Sequence, residues 1–264
     1  MLPKLISIGS FFIPTYGVLV ATGFLVALWI TVKLAKRAQL PPEQVTNLAI
    51  YCALAGLAGA KLFMILFDYQ DYLAKPGSIF SLATLQAAGV YQGGLLLAVI
   101  TALYYMRKTK LPVLETFDVF APGIAVGHAI GRIGCLAAGC CWGQECNRPW
   151  AITFRNPEAH DLVGVPLNVP LHPTQLYESL SEALIFAFLY WRIQKAHRAG
   201  EIFGLYLVLY SITRFLVEFV RNHEQPTHLG LSLTQWISLG TLAAGIGLVA
   251  MGRRGPKIVV DAHS

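Results

Sequence analysis

The chain has 264 residues, of which 55% are hydrophobic and 13% charged, with a formal net charge of +6. So little charge excludes a disordered polyelectrolyte, and repeated uncharged runs of about 20 residues exclude an ordinary soluble core. No basic run is interleaved with aromatic residues as single-stranded nucleic acid would require, so no nucleic-acid partner is expected.

In chain order, apolar segments occupy residues 11 to 32, 47 to 67, 86 to 106, 116 to 138, 173 to 191, 202 to 220 and 229 to 251. The first, third and last carry no charge, and a ~30 Å hydrocarbon core needs roughly 20 helical residues to cross it. The pattern predicts an all-α polytopic membrane protein of seven transmembrane helices, with residues 1–264 forming one transmembrane domain. The first segment reads as a span rather than a signal peptide, because only Lys4 precedes it and no small-residue cleavage pattern follows.

The loops after the first, third, fifth and seventh segments hold 12 of the 20 Lys and Arg residues: Lys33, Lys36, Arg37, Arg107, Lys108, Lys110, Arg192, Lys195, Arg198, Arg253, Arg254 and Lys257. Five others, Lys4, Lys75, Arg148, Arg155 and Arg221, fall on the opposite side. This asymmetry predicts the N-terminus outside and the C-terminus inside. The longest external piece, 138–172, is rich in Gly, Pro and Asn and predicts a small cap, with a strand at Trp150–Phe154 and a turn at Asn156-Pro157.

Lys61, Arg132 and Arg214 remain, each inside an apolar segment. A charge at that depth costs at least ~2.5 kcal/mol even on the mildest insertion scale, so each is expected to face a polar cavity or an anionic partner. Two arginines on different helices suit a phosphate, because a planar guanidinium binds two of its oxygens. Tyr210, Arg214 and Glu218 are spaced four apart and share one helical face, where Glu218 can neutralise and aim Arg214. A self-satisfied pair that only joins helices is the plainer reading, weakened by Arg132, which is expected to be unpaired. His128, four residues before Arg132, reads first as a histidine bonded to a neighbouring helix and only second as a catalytic group.

Glycines follow in Gly131-Arg132-Ile133-Gly134, at Gly139 and Gly143, and in Tyr91-Gln92-Gly93-Gly94, where irregular backbone lining a cavity is expected. Tyr16, in Pro14-Thr-Tyr-Gly17, reads as an interfacial anchor. His172, Gln175 and Glu178 make the entrance of the fifth segment more polar than an anchor needs. Cys135, Cys140, Cys141 and Cys146 cluster at the outer end of the fourth segment, in an oxidising compartment. One or two disulfides bracing the cap come first, free buried thiols second, and a metal or redox site third, since Cys-x4-Cys-Cys-x4-Cys lacks a familiar ligand spacing.

Together the Gly131-Arg132-Ile133-Gly134 motif with Gly139 and Trp142-Gly143, the His172-Pro-Thr-Gln-Leu-Tyr-Glu178 segment and Tyr210-x-x-x-Arg214-Phe-x-x-Glu218 resemble the prolipoprotein diacylglyceryl transferases. Pro14-Thr-Tyr16-Gly17 and Gly93-Gly94 extend the resemblance over nearly the whole chain. It implies a multi-pass enzyme of the bacterial inner (plasma) membrane that moves diacylglyceryl from phosphatidylglycerol to the lipobox cysteine thiol of a lipoprotein precursor. A thioether forms and glycerol phosphate is released. Phosphatidylglycerol, lipobox-containing precursors and membrane lipids are then the partners, with no cofactor and no metal required.

The resemblance further implies that Arg132 and Arg214 hold the phosphate, that Glu218 orients Arg214, and that Glu178 supports the site. Tyr16, Gln92, Gly93, Gly94, Gly143 and Tyr210 would contact substrate. Three departures stand out: Gln92 replaces a histidine proposed as the base, Cys135 and Cys140 replace asparagine and glutamate, and Lys61 replaces arginine. Gln92 cannot act as a base, so His172, with His128 second, is expected to take the thiol proton. The departures also keep rivals open: a divergent transferase with another acceptor, a membrane thiol-disulfide oxidoreductase, or an anion transporter, which would need internal repeats.

Overall fold

The computed structural model describes residues 2–8, 11–81, 84, 89–222, 227–252 and 257–258. Its helices are α1 (Thr15–Arg37), α2 (Pro42–Phe67), α3 (Tyr69–Ala74), α4 (Tyr91–Thr109), α5 (Val113–Ala138), α6 (Pro157–Val163), α7 (Thr174–Ile193), α8 (Glu201–Glu218) and α9 (Leu233–Gly252). Seven of them, all but α3 and α6, are 18 to 26 residues long and fall on the seven apolar segments. Among the described residues four helices, α1, α2, α5 and α9, are long and apolar enough to cross a membrane. Arg253, Arg254 and the side chain of Lys257, counted above for orientation, lie outside the described residues.

Short antiparallel pairs accompany the helices. β1 (Lys4–Ile8) pairs with β2 (Phe11–Pro14), so the first helix starts at Thr15 rather than at residue 11. Pro14 closes that strand in extended geometry, at φ −71° and ψ 132°, before the chain turns helical. The expected strand around 150–154 shortens to β3 (Ile152–Thr153), paired with β4 (Pro170–Leu171). The expected turn at Asn156-Pro157 is instead the start of α6, where the Asn156 side chain accepts from Glu158 N at 2.9 Å and proline sits at the first helical position. Phe154, Ala159, Val165 and Leu171 form the buried core of this 138–172 segment, and Lys4 ties the N-terminal hairpin to it through Glu158, 2.6 Å away.

The chain divides into two compact units, residues 39–116 and residues 1–38 with 117–264. Within the first, α2 packs on α4 through glycines. A side chain at Gly94 would meet the Gly56 carbonyl at 2.8 Å, and one at Gly93 would meet the Gly59 carbonyl at 2.6 Å. Gly93 and Gly94 therefore serve a regular helix that approaches its neighbour closely, not the irregular backbone expected there; among lipids, contact between small residues replaces hydrophobic attraction as the source of cohesion. Gly94→Leu should lower the melting temperature in detergent by several degrees, consistent with the ~1–3 kcal/mol of overpacking. Gly77→Ala, with nothing within 4 Å, should leave it unchanged, and equal melting of the two variants would refute the close-packing role.

In the second unit the same device joins α1 to α5 at Gly23 and Gly127 and α8 to α9 at Gly204 and Gly245. Asp118 of α5 accepts from Gly200 N at 2.7 Å and Phe203 N at 2.8 Å, placing a carboxyl group at the N-terminus of α8. Helix α7 shows the radial pattern most clearly: Thr174, Gln175, Glu178 and Glu182 are buried, while Leu176, Leu180, Leu184 and Trp191 are exposed. Its inner face also buries Ile185, Leu189 and Ile193, and buried carboxyl groups beneath an apolar outer face suit a hydrocarbon solvent.

Candidate active site

Two groups of ion pairs occupy the interior of the second unit. On α8, Arg214 Nη1 lies 2.7 Å from Glu218 Oε2, one turn away, as the spacing anticipated. The other Glu218 oxygen accepts from Ser232 Oγ at 2.9 Å, and Ser232 N in turn donates to Gln235 Oε1 at 2.9 Å. Glu218 is thus fixed from the start of α9 as well as from its own helix, which holds the Arg214 guanidinium in one orientation. Tyr210, one turn before Arg214, places its ring 5.8 Å from Tyr206 and 5.8 Å from His128.

The second group centres on Glu178 of α7. It forms a direct ion pair with Arg132 of α5 and accepts from Arg221 Nη1 at 3.2 Å. Arg132 is therefore not the unpaired cation expected from sequence; helix packing supplies its carboxylate. Two guanidinium groups on one carboxylate still leave one positive charge, the electrostatic requirement for an anion site. One turn along α7, Glu182 receives His128 Nδ1 at 3.1 Å, which satisfies the first reading of that histidine as bonded to a neighbouring helix.

Residues 139–146 are threaded between the ends of α7 and α8. Gly143 N donates to His172 O at 3.0 Å and Gln144 N to Val220 O at 2.8 Å. A side chain at Gly143 would meet the Val220 carbonyl at 2.6 Å and the His172 carbonyl at 2.8 Å, so only glycine fits between them. Gln175 Nε2 and Thr174 Oγ1 hold the carbonyls of Cys140 and Cys141 at 2.7 and 2.6 Å, and Cys141 adopts the left-handed region at φ 61°.

All five cysteines are free thiols, which corrects the expected disulfides. The sulfur atoms of Cys135, Cys140 and Cys141 lie within 4.8 Å of one another, and Arg132 Nη1 is 3.8 Å from Cys135 Sγ. The Cys141 thiol is held below the usual thiol range by hydrogen bonds from Cys135 and Cys140, with Arg221 and Arg132 adding to the effect.

The remaining expected residues fall as follows. The Tyr16 ring lies against Gly134, whose added side chain would be 3.2 Å from Tyr16 Cδ2. His172 Nδ1 is 3.1 Å from the Tyr177 hydroxyl, which accepts from Trp150 Nε1 at 2.8 Å. Gln92 is exposed in the first turn of α4, in the unit of residues 39–116, where Lys61 Nζ donates to Thr84 O at 2.6 Å. Sequence reasoning missed Glu182, Ser232 and Gln235, and it set Arg221 just off the outer end of the Tyr210–Glu218 stripe and in the external charge count without its contact to Glu178. Glu182 had a readable signal, standing four residues after Glu178 on the same helical face.

Ion pairs enclosed by helices that turn their leucines outward define a helical membrane protein with paired charges in its interior. Residues 3–251 match the family model of prolipoprotein diacylglyceryl transferase. Three similar proteins are called phosphatidylglycerol–prolipoprotein diacylglyceryl transferase. That of Vibrio cholerae is 36% identical over 92% of this chain and 89% of its own length. Those of Clostridium tetani and Bordetella bronchiseptica are each 32% identical, covering 93% and 97% of this chain and 96% and 97% of their own. The chain belongs to the prolipoprotein diacylglyceryl transferase family, and it is a membrane-embedded transferase.

Proposed function

We propose that the chain transfers diacylglyceryl from phosphatidylglycerol to the lipobox cysteine of lipoprotein precursors. Two partly buried arginines bound to carboxylates, Arg132 to Glu178 and Arg214 to Glu218, carry this reading. The acceptor thiolate attacks a glyceryl carbon, a carbon–sulfur bond forms, and the carbon–oxygen bond to phosphate breaks with its electron pair passing to the departing glycerol phosphate. Arg132 and Arg214 stabilise the negative charge that grows on that phosphate, and their fixed carboxylates spare the site from reorganising as the charge develops. Glu178 and Glu218 are positioning residues. Tyr16, Tyr210 and Gly143 line or shape the substrate path, and His172 takes up the thiol proton.

The same reading sets one seven-span transmembrane domain in the bacterial inner membrane, N-terminus out and C-terminus in, with residues 138–172 as the external cap. Reporter fusions after Lys110 and Arg198 should read cytoplasmic, and fusions after Gly77 and within 155–165 external. Reversal at two of these positions would overturn the arrangement. Function is tested by incubating the purified protein with phosphatidylglycerol and a lipobox peptide. Mass spectrometry should find diacylglyceryl on the peptide cysteine; its absence with purified protein and with membranes containing it alike would sink the transferase assignment to this acceptor.

A further inference from the structure

The proposed reaction alkylates a thiol, yet the position where the resemblance implies a base carries Gln92, whose amide cannot take a proton near neutral pH. Beside Arg132 the structure gathers three other groups that this chemistry can use. The sulfur atoms of Cys135, Cys140 and Cys141 lie within 4.8 Å of one another. Zinc–thiolate bonds of about 2.3 Å in a tetrahedron set sulfurs roughly 3.8 Å apart, a separation these side chains reach by small rotations. Cys135 stands on the last turns of α5, and the loop that presents the other two is held in place. Cys140 and Cys141 have their carbonyls bonded to Gln175 and Thr174 at the start of α7, and Cys141 holds a left-handed backbone that a non-glycine residue adopts only when its surroundings enforce it. Cys146, also buried, stands outside this cluster, which offers three sulfurs rather than four.

We propose that Cys135, Cys140 and Cys141 form a three-thiolate zinc site whose fourth position takes the thiol of the acceptor cysteine. Three protein ligands and one open position are the arrangement of catalytic zinc, whereas structural sites close with four. The local charges match. Three thiolates and one divalent cation leave one negative charge, and Arg132 and Arg221 against Glu178 leave one positive charge beside it. The metal site stands on the cluster alone, while the role of the fourth position rests on the transfer reaction proposed above.

A thiol that coordinates zinc loses its proton outright, here to His172 and then to solvent. The bound thiolate then forms the carbon–sulfur bond as the carbon–oxygen bond breaks, and the electron pair leaves with glycerol phosphate. The product thioether is neutral, binds zinc weakly and departs.

Protein purified in detergent, supplied with zinc and freed of excess, should contain about one zinc per chain by mass spectrometry of the metal. Cobalt in its place should give sulfur-to-metal charge-transfer absorption. Cys140→Ser and Cys141→Ser should each lose the metal and the band, and Cys52→Ala should keep both. Removing zinc with a chelator should slow transfer at least ~100-fold, and zinc should restore it. Trace metal only, full metal in both serine variants, or a disulfide among the three cysteines in protein isolated without reductant would overturn the site. Full transfer by metal-free protein would overturn the role of the fourth position. Zinc bound without any transfer would refute the transferase reading, and with it the fourth ligand, but would leave the metal site standing.

Discussion

Arg132→Ala and Arg214→Ala are each expected to slow transfer from phosphatidylglycerol to a lipobox peptide by at least ~100-fold, the scale on which losing one fixed electrostatic stabiliser acts. The effect should appear in turnover more than in substrate affinity, because the phosphate gains charge only as the carbon–oxygen bond breaks. Lysine should rescue either position poorly. Its ammonium is a point charge and cannot place two parallel donors on one phosphate, nor keep the geometry that Glu178 and Glu218 impose on a guanidinium. Kinetics on variants that still melt cooperatively make the comparison clean, and near-normal turnover by either alanine variant would remove that arginine from the mechanism.

Glu178→Ala should damage both stability and transfer. Glu178 is buried and pairs with Arg132 and Arg221 together, so its loss leaves two partly buried guanidinium groups without their shared carboxylate. Breaking one buried ion pair costs about 3–5 kcal/mol, enough to lower the melting temperature by several degrees. Glu178→Gln should be milder in stability, since the amide oxygen still accepts from a guanidinium, yet it should remain slow in transfer because the charge is gone. Adding Arg221→Gln to Glu178→Gln should recover part of the lost stability, as the excess positive charge falls. Wild-type melting by Glu178→Ala, or no coupling in the double variant, would show that this cluster holds no net strain of charge.

Local spacing made one half of the site legible. Arg214 and Glu218 stand four apart on one helix, so their 2.7 Å contact follows from helical geometry whatever surrounds it. Asn156-Pro157 shows how the same local evidence can mislead: the residues read as a turn, and they start α6 because a side-chain cap and a proline at the first position suit a helix equally well. Gly93 and Gly94 were visible as special positions, but whether they bend the backbone or admit a neighbour depends on what lies opposite, and Gly59 and Gly56 lie opposite.

The sequence by itself determined the solvent of this protein, the positions of its long helices and the pairing of Arg214 with Glu218, because uncharged runs and i, i+4 spacing are properties of contiguous residues. Only the tertiary structure decided the partners. Glu178 reaches Arg132 and Arg221 from helices and loops far apart in the chain, His128 finds Glu182, and Cys135 meets Cys140 and Cys141 as three thiols rather than as bridges. Those pairings depend on which helix faces meet and how closely glycines let them approach, and no local pattern encodes the face that another helix will present.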